Sequence, residues 1–192
     1  MPHLIIIAGP NGAGKTTSAP ILLKDTLHVN DFVNADTIAQ GLCAFQPEKA
    51  AIQAGKVMLE RMHRLAQAKV NFAFETTLAS RTFVPWIVEL QKNGYLFHLI
   101  FLWLKNAELA ISRVWERTKV GGHSVPEQII RRHYKVGLKN FFNLYKPIAD
   151  SWQFYNNSNI NDLALIASIE SNKRLIIQNE VIWKKILEEH SE

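Results

Sequence analysis

The chain has 192 residues, of which 47% are hydrophobic and 20% are charged, with 9 glycines and 7 prolines. These proportions predict one compact domain and exclude collagen-like, disordered and low-complexity proteins. A chain of this length buries enough apolar surface to hold a core without disulfides or metal, and its single cysteine, Cys43, can form no internal bridge. We therefore expect a reducing, cytoplasmic setting.

The sequence predicts neither a membrane protein nor a nucleic-acid-binding protein. The apolar run Leu4–Ala8 is shorter than the core of a signal peptide, and Leu96–Leu104 is far shorter than the roughly 20 residues that cross a bilayer. The net charge is +5, but lysines and arginines are scattered among acidic residues. This charge favours anionic ligands rather than a dedicated nucleic-acid surface.

Apolar runs and helical spacing alternate along the N-terminal half. β-Branched residues in the first run predict a central strand that is buried on both faces and closed by a glycine-rich turn. At Pro20, in the helix that follows, we expect either a kink or a short first helix. The predicted order is strand His3–Ala8, helix Lys15–Leu27, strand Asp31–Asp36, a short helix through Leu42, a long helix from near Pro47 with Ala51, Ala54, Met58, Met62 and Leu65 on its buried face, and strand Asn71–Glu75.

The alternation continues through the C-terminal half. Ser80 and Asn106 are predicted helix N-caps, Asn93–Gly94 a left-handed helix stop, and Ser124–Glu127 a capping box. The predicted order is a helix to Lys92, strand Tyr95–Leu104, a helix that breaks at Gly121–Gly122, a helix from Ser124 towards Tyr145 that Pro147 ends, strand Trp152–Tyr155, a hairpin of Leu163–Ile169 and Arg174–Gln178 around Ser171–Asn172, and helix Val181–Glu189.

Strands separated by helices need crossover connections. Such connections predict an α/β fold, with a mostly parallel sheet that helices cover on both faces.

The turn after the first strand carries a complete phosphate-loop motif, G-x-x-x-x-G-K-[ST], in the strand-to-helix context that the motif requires. Its backbone N–H groups would surround a polyphosphate at the start of the helix. Lys15 would reach the β- and γ-phosphates, and the Thr16 hydroxyl would hold Mg²⁺. The predicted nucleotide-binding residues are Gly9, Pro10, Asn11, Gly12, Ala13, Gly14, Lys15, Thr16 and Thr17.

Among nucleotide users, the motifs favour a small kinase. The Asn-Lys-x-Asp motif of GTPases is absent from the sequence, as are the acidic strand end and the serine-glycine signature of transport ATPases. A kinase needs a carboxylate to orient the accepting hydroxyl and take its proton, together with cations around the moving phosphoryl group.

Two carboxylates are placed for this task at predicted strand ends, where an open parallel sheet binds its ligands. We predict that Asp36 is the base and that Glu75 and Thr77 bind the acceptor. Asp36 could also cap a helix that starts at Thr37, and Glu75 could form a buried salt bridge or contact a metal.

Four arginines are candidates for stabilising charge on the γ-phosphate. Arg113 and Arg117 share a helix face, and Arg131 and Arg132 follow a Gly-Gly-His-Ser break that could act as the hinge of a lid. Adjacent arginines on a helix point in different directions, so at most one of Arg131 and Arg132 is expected to meet phosphate. The alternative for each arginine is a solvated helix face. His123 is a weaker candidate for phosphate, and Trp152, Tyr155 and Asn156–Asn157 could border an adenine.

Taken together, these blocks resemble the zeta toxin family of P-loop kinases. The resemblance rests on Ala8–Thr17, Asn34–Ala39, Phe74–Leu78, Arg113–Arg117, Gly121–Glu127 and Arg131–Arg132, which occur in family order. It implies a P-loop kinase-like three-layer sandwich with about five mostly parallel strands. The sequence pattern adds a C-terminal hairpin and helix, and together with the composition it predicts a single domain over residues 1–192, with a lid and arginine region at about 113–133.

The same resemblance implies ATP and Mg²⁺ as ligands, and phosphorylation of the 3′-hydroxyl of UDP-N-acetylglucosamine. The family's base falls on Asp36, its phosphate-loop lysine on Lys15, and its acceptor-binding residues on Glu75 and Thr77. Its phosphate-contacting arginines fall among Arg117, Arg131 and Arg132. From its place on the same helix face as Arg117, Arg113 is predicted as a further substrate contact. An antitoxin partner is also implied. A kinase with an unrelated hydroxyl acceptor and a nucleotide-gated binding protein stay open as alternatives.

Overall fold

The computed structural model describes residues 1–24, 29–119, 121–122, 124–159, 162–170 and 174–190. Within these residues, seven strands form one sheet in the spatial order second, third, first, fourth, fifth, sixth and seventh. The strands are β1 His3–Ala8, β2 Asp31–Val33, β3 Phe72–Thr76, β4 Leu96–Trp103, β5 Ser151–Asn159, β6 Asp162–Ile169 and β7 Leu175–Ile177.

Helices occupy most of the connections between the strands. They are α1 Lys15–Lys24, α2 Ala35–Leu42, α3 Ala51–Gln67, α4 Phe83–Lys92, α5 Ala107–Lys119, α6 Glu127–Asn140 and α7 Glu180–His190. A 3₁₀ turn, Pro47–Ala50, leads into α3, and a π-helical turn, Phe141–Tyr145, followed by a 3₁₀ turn, Lys146–Ile148, continues α6. The predicted α/β class is confirmed. None of the helices in the described ranges is long and apolar enough to cross a membrane.

The sheet has a parallel core and an antiparallel edge. Strands β2, β3, β1, β4 and β5 run parallel, as the crossover helices require. The C-terminal hairpin does not stand apart from the sheet, because β6 pairs antiparallel with β5 and β7 pairs antiparallel with β6. The sheet therefore has seven strands rather than about five. The hairpin pairs with the edge of β5 that would otherwise be open.

The first strand lies in the middle of the sheet and is buried on both faces. Leu4 and Ile6 pack into one apolar cluster, with residues from α3, α4 and α7, while Ile5 and Ile7 pack into a second cluster, with residues from α1 and α5. All four side chains are fully buried. Burial on both sides explains why this strand is a continuous apolar run rather than an alternating one, and it gives the three layers that the resemblance implied.

The end of β2 differs from the prediction in a way that matters for the site. The strand stops at Val33 rather than at Asp36. Asn34 is the N-cap of α2, and its side-chain oxygen accepts hydrogen bonds from the backbone N–H groups of Asp36 and Thr37. Asp36 therefore lies in the first turn of the helix, and it is not the cap. The Asn34 amide forms this cap because its oxygen reaches the unpaired N–H groups of that turn.

Two predicted caps are wrong, and one is confirmed. The N-cap of α4 is Thr82 rather than Ser80, although the Ser80 hydroxyl accepts a hydrogen bond from the Thr82 N–H. The N-cap of α6 is Pro126, with no side-chain cap bond, so the Ser124–Glu127 capping box does not form. Asn106 caps α5 as predicted, by accepting from the Leu109 N–H.

Other local predictions have mixed outcomes. Gly94 has a φ of +91°, which confirms the left-handed stop after α4. On α3, the predicted buried face is confirmed except at Ala51, which is exposed at the start of the helix. Pro20 lies inside α1, and the helix continues past this proline to Lys24. Three predictions fall outside the described residues: the end of the first helix near Leu27, His123, and the Ser171–Asn172 turn.

Candidate active site

The phosphate loop connects β1 to α1 with backbone conformations that need glycine. Gly12 and Gly14 both have a φ of +77°. A Cβ atom at Gly12 would lie 2.7 Å from the Ala110 carbonyl oxygen of α5, and one at Gly14 would lie 2.7 Å from the Asn157 side-chain nitrogen. The positive φ disfavours a side chain at both positions, and at Gly12 the backbone of α5 leaves no room for one, so the glycines let the loop pack tightly against α5 and the end of β5.

Lys15 is buried, and its ammonium group contacts a backbone carbonyl and a carboxylate of the protein. Its Nζ donates to the Pro10 carbonyl oxygen at 3.0 Å and lies 3.6 Å from Glu75 Oε1. Burial lowers the pKa of Lys15, and the nearby carboxylates of Glu75 and Asp36 oppose that shift. A desolvated ammonium at a phosphate loop gains strongly from an anion placed beside it.

Thr16, Asn34 and Glu75 form a hydrogen-bonded group at the ends of three neighbouring elements. The Thr16 hydroxyl donates to Glu75 Oε2 at 2.7 Å, and Asn34 Nδ2 donates to the same oxygen at 2.8 Å and to Thr16 Oγ1 at 3.2 Å. Asn34 is buried, and both ends of its side-chain amide form hydrogen bonds. The nitrogen donates within this group, and the oxygen accepts from the first turn of α2. Its site role was not predicted, although an asparagine at this point is a typical N-cap.

Two adjoining cavities open around this group. The larger, of about 630 Å³, is lined by the phosphate loop, α2 and the residues that follow it, and α5. The smaller, of about 390 Å³, is lined by the end of β3, by Met58 and Phe83, and by one face of α6. Five residues line both cavities: Asn11, Lys15, Asn34, Asp36 and Glu75.

Asp36 is therefore placed at the boundary between the two cavities. Its side chain is exposed, and its backbone N–H is held at 2.8 Å by Asn34 Oδ1. The carboxylate lies close enough to Lys15 to raise the pKa of that lysine. A carboxylate in this position can meet ligands bound in either cavity.

Thr77 lies on a loop that α6 holds in an unusual conformation. The next residue, Leu78, is fully buried with a φ of +56°, and its carbonyl oxygen accepts from Asn140 Nδ2 at 2.7 Å. The Thr77 carbonyl oxygen packs directly against Gly137 of α6. A buried leucine in the left-handed region is strained, so these contacts fix the loop that lines the smaller cavity.

The four arginines occupy different environments. Arg117 lines the larger cavity and lies close enough to Lys15 for its charge to lower the pKa of that lysine. Arg113 also lines this cavity, but its guanidinium group donates to the carbonyl oxygens of Asn157 and Ser158 at 2.7 and 2.9 Å. The structure therefore uses Arg113 to join α5 to the end of β5.

The structure does not bring Arg131 or Arg132 to the cavities. Arg131 donates to Glu108 at 2.7 Å and to Glu127 at 2.9 Å on the protein surface. These hydrogen bonds raise the pKa of Arg131 above its ordinary value. Arg132 is exposed and lines neither cavity. Of the predicted cationic set, Lys15, Arg113 and Arg117 come together.

Two residues outside the predicted site contact the phosphate loop. His133 of α6 lies with Nδ1 2.8 Å from Asn11 Oδ1 and lines the smaller cavity. Asn157, which was a candidate to border an adenine, donates from Nδ2 to the Ala13 carbonyl oxygen at 2.8 Å. The sequence contains no local signal for either contact, because each joins residues more than a hundred positions apart.

The donor set beside the loop fits Mg²⁺ held together with phosphates. Thr16 and Glu75 supply a hydroxyl and a carboxylate, which are the hard oxygen ligands that Mg²⁺ prefers. In the part of the chain that the structure describes, no group of three or more His, Cys, Asp or Glu side chains could hold a metal alone.

Comparison with known proteins gives the family. The model of the zeta toxin family matches residues 45–164, which is more than half of the chain. The chain belongs to the zeta toxin family. The matched region includes Glu75, Thr77 and the arginines, while the phosphate loop and Asp36 precede it. A Haemophilus influenzae relative, described as an uncharacterized protein, is 27% identical over 130 residues, covering 68% of this chain and 91% of the relative.

Solved structures share the fold of this zeta toxin family member. A chain of the PezAT chromosomal toxin-antitoxin system of Streptococcus pneumoniae aligns with a TM-score of 0.67 and 19% identity, over all of this chain and 85% of that one. A chain of the AvrRxo1-ORF1:-ORF2 complex with ATP aligns with a TM-score of 0.75 and 16% identity, over 97% of this chain. This chain spans only 63% of that AvrRxo1 chain. These alignments show that the chain shares the P-loop kinase-like fold of these structures.

Proposed function

We propose that this protein transfers the γ-phosphoryl group of ATP to a hydroxyl group, and that the acceptor is the 3′-hydroxyl of UDP-N-acetylglucosamine or of a related nucleotide-sugar. One observation carries the proposal. Asp36 lines both the cavity that contains most of the phosphate loop and the cavity that contains Thr77, and Glu75 lines both as well. A kinase needs a carboxylate between its phosphoryl donor and its acceptor.

The larger cavity would hold the triphosphate. The phosphate-loop N–H groups and Lys15 would bind the β- and γ-phosphates, and Arg117 would add positive charge from α5. Thr16 and Glu75 would hold Mg²⁺, which neutralises charge on the phosphates when it is bound. These cations matter most in the transition state, where charge spreads over the moving group.

The smaller cavity would hold the acceptor hydroxyl. Asp36 would accept the proton of that hydroxyl as its oxygen forms a bond to the γ-phosphorus. The bond from that phosphorus to the β–γ bridging oxygen breaks, so ADP leaves with the bonding electron pair. The products are the phosphorylated acceptor, ADP and a protonated Asp36, which then releases its proton to water.

The lining of the smaller cavity supports a sugar as the acceptor. The lining combines polar side chains, among them Asp36, Glu75 and Thr77, with apolar ones, among them Met58 and Phe83. A volume of about 390 Å³ suits one sugar unit, and the faces of a sugar ring carry both C–H groups and hydroxyls. The remainder of a nucleotide-sugar would extend out of this cavity.

The resemblance to toxin-antitoxin systems also supports a protein partner. The PezAT structure is described as a toxin-antitoxin system, and its fold matches the whole of this chain. We include an antitoxin partner and a cytoplasmic setting in the proposal for this protein.

Acceptor-dependent release of ADP tests the proposed function. The protein is incubated with ATP and Mg²⁺, with and without UDP-N-acetylglucosamine, and compared with Asp36→Asn and with the matched control Asp31→Asn. Asp31 pairs with Arg61 away from both cavities. We expect Asp36→Asn to lose acceptor-dependent release while still binding ATP, and Asp31→Asn to keep it. Full activity in Asp36→Asn would refute the assignment of the base, and ATP binding without acceptor-dependent release would favour a nucleotide-gated binding protein.

A further inference from the structure

His133 joins the phosphate loop to the smaller cavity. Its Nδ1 lies 2.8 Å from Oδ1 of Asn11, a residue 122 positions earlier in the chain. Asn11 lines both cavities, and the half-buried imidazole of His133 lines the smaller one beside Asp36 and Glu75. One side chain of α6 therefore contacts the loop that would bind the donor and also faces the space that would bind the acceptor.

The hydrogen bond to Asn11 determines which nitrogen of His133 is left for a ligand. Because the Asn11 oxygen accepts, the imidazole proton lies on Nδ1 and the lone pair lies on Nε2. Burial and the positive charges of Arg132 and Lys15 lower the pKa of His133. The carboxylates of Asp36 and Glu75 line the same cavity. The imidazole is thus neutral at pH 7, and Nε2 is a hydrogen-bond acceptor.

The helix face that carries His133 is otherwise apolar. Ile129 lies one turn earlier and lines the same cavity, as does Val125 just before the helix. His133 is therefore the residue by which this face of α6 can form a polar contact with a ligand in the cavity, in addition to the contacts of Glu75 and Thr77. A ligand bound both by His133 and by that pair needs more than one polar group.

We propose that His133 is an acceptor-binding residue: Asn11 holds the imidazole through Nδ1, and Nε2 accepts a hydrogen bond from a second hydroxyl of the acceptor, other than the one that Asp36 deprotonates. This inference rests on the proposed function and narrows its acceptor to a compound with at least two hydroxyl groups on a compact ring. A mono-alcohol would lack the group that His133 binds.

The arrangement also links the acceptor to the donor. Since the same imidazole contacts Asn11, an acceptor bound to Nε2 is placed at a fixed position relative to the phosphate loop. Small displacements between reacting groups have large effects on rate, so such a link contributes to alignment of the hydroxyl with the γ-phosphorus.

Two conservative variants separate the two nitrogens of His133. In His133→Asn, the side-chain amide nitrogen takes the place of Nδ1 and can still donate to Asn11, but nothing replaces Nε2. In His133→Leu, both contacts are lost. The matched control is His63→Asn, which changes an exposed histidine on α3 that lines neither cavity. Steady-state kinetics with ATP and UDP-N-acetylglucosamine give the KM of each substrate for each variant.

We expect His133→Asn to raise the KM for UDP-N-acetylglucosamine about tenfold, the effect of one lost hydrogen bond, while the KM for ATP stays within about twofold. His133→Leu should raise both KM values, and His63→Asn should change neither. If the KM for the acceptor is unchanged in both His133 variants, the proposed role of His133 is overturned, while the proposed function stands. If the wild-type protein binds ATP but phosphorylates no nucleotide-sugar, the proposed acceptor fails first, and the inference for His133 fails with it.

Discussion

Thr16 and Glu75 lie 59 positions apart in the chain, and the Thr16 hydroxyl donates a 2.7 Å hydrogen bond to Glu75 Oε2. The parallel pairing of β1 with β3 brings them together, because it aligns Ile7 with Glu75 directly before the phosphate loop. Glu75 also lies 3.6 Å from the Lys15 ammonium. One carboxylate thus partners both the Thr16 hydroxyl and the Lys15 ammonium, and under the proposed function ATP with Mg²⁺ would exchange these contacts for phosphate and metal.

We expect Glu75→Gln to weaken the binding of Mg²⁺ in the complex with ATP. The variant keeps the size of the side chain but removes the charge that would bind the cation and that balances Lys15. The Mg²⁺ concentration for half-maximal ADP release should rise about 10- to 100-fold. The matched control is Glu89→Gln, which changes an exposed acid on α4. An unchanged Mg²⁺ titration in Glu75→Gln would remove Glu75 from the metal site.

Arg117→Ala should lower kcat much more than it changes the KM for ATP. Arg117 lines the larger cavity near Lys15, where its charge would act on the phosphoryl group during transfer. Loss of one such charge costs about 10²- to 10³-fold in rate. Steady-state kinetics compare this variant with Arg64→Ala, which removes an exposed arginine on α3. Equal effects in the two variants would contradict a role for Arg117 in the transition state.

Gly137→Ala and Gly55→Ala should change the free energy of unfolding in opposite directions. A Cβ at Gly137 would overlap the Thr77 carbonyl oxygen, whereas a Cβ at Gly55 of α3 would meet no atom within 4 Å. We expect Gly137→Ala to destabilise the protein by about 1–3 kcal/mol, and Gly55→Ala to stabilise it by about 0.5–1 kcal/mol. Urea unfolding measures both.

The same glycine pair tests the Thr77 loop. Displacement of that loop in Gly137→Ala should also raise the KM for the acceptor, while Gly55→Ala leaves it unchanged. A normal acceptor KM in Gly137→Ala would show that the position of Thr77 does not matter for acceptor binding.

The stability of the protein should fall between pH 6.5 and pH 4. His98 on β4 lies 2.8 Å from His3 and 2.6 Å from the Ser151 hydroxyl, and burial, with the neighbouring His3, lowers its pKa from 6.5 to about 4. In this pH range the unfolded chain binds a proton at His98 and the folded protein does not, so acid favours unfolding. The loss should be about 2 kcal/mol, since the ring is only partly buried, and should level off below pH 4.

Urea unfolding at pH 7, 5.5 and 4 measures this dependence. The variant His98→Asn keeps a side-chain amide at the position of Nδ1, which can bond to Ser151 but cannot take up a proton in this range. Its stability should fall less between pH 6.5 and 4 than that of the wild type. Equal losses in the two proteins would mean that other groups cause the acid sensitivity.

The parts of the site that arise from local sequence could be predicted. The phosphate loop is a contiguous motif. An apolar run followed by glycines and Lys15 predicts its position between a strand and a helix. Glu75 and Thr77 could be placed beside it because parallel strands end at the same edge of a sheet. Asp36 was placed near them for the same reason, although it lies on the helix rather than on the strand.

The contacts that depend on tertiary packing could not be predicted. Arg113 and Arg131 have the same side chain in similar helical settings, yet one joins α5 to β5 and the other pairs with Glu108 and Glu127 at the surface. His133 was one histidine among seven. Which of these side chains reaches the phosphate loop is determined by how α5 and α6 pack on the sheet, and a single sequence does not contain that packing.

The most direct test of the account is mass analysis of UDP-N-acetylglucosamine after incubation with the protein, ATP and Mg²⁺. The account predicts that the nucleotide-sugar gains one phosphoryl group on its sugar, and that the gain is lost in Asp36→Asn. An unmodified nucleotide-sugar in the presence of protein that binds ATP would contradict it.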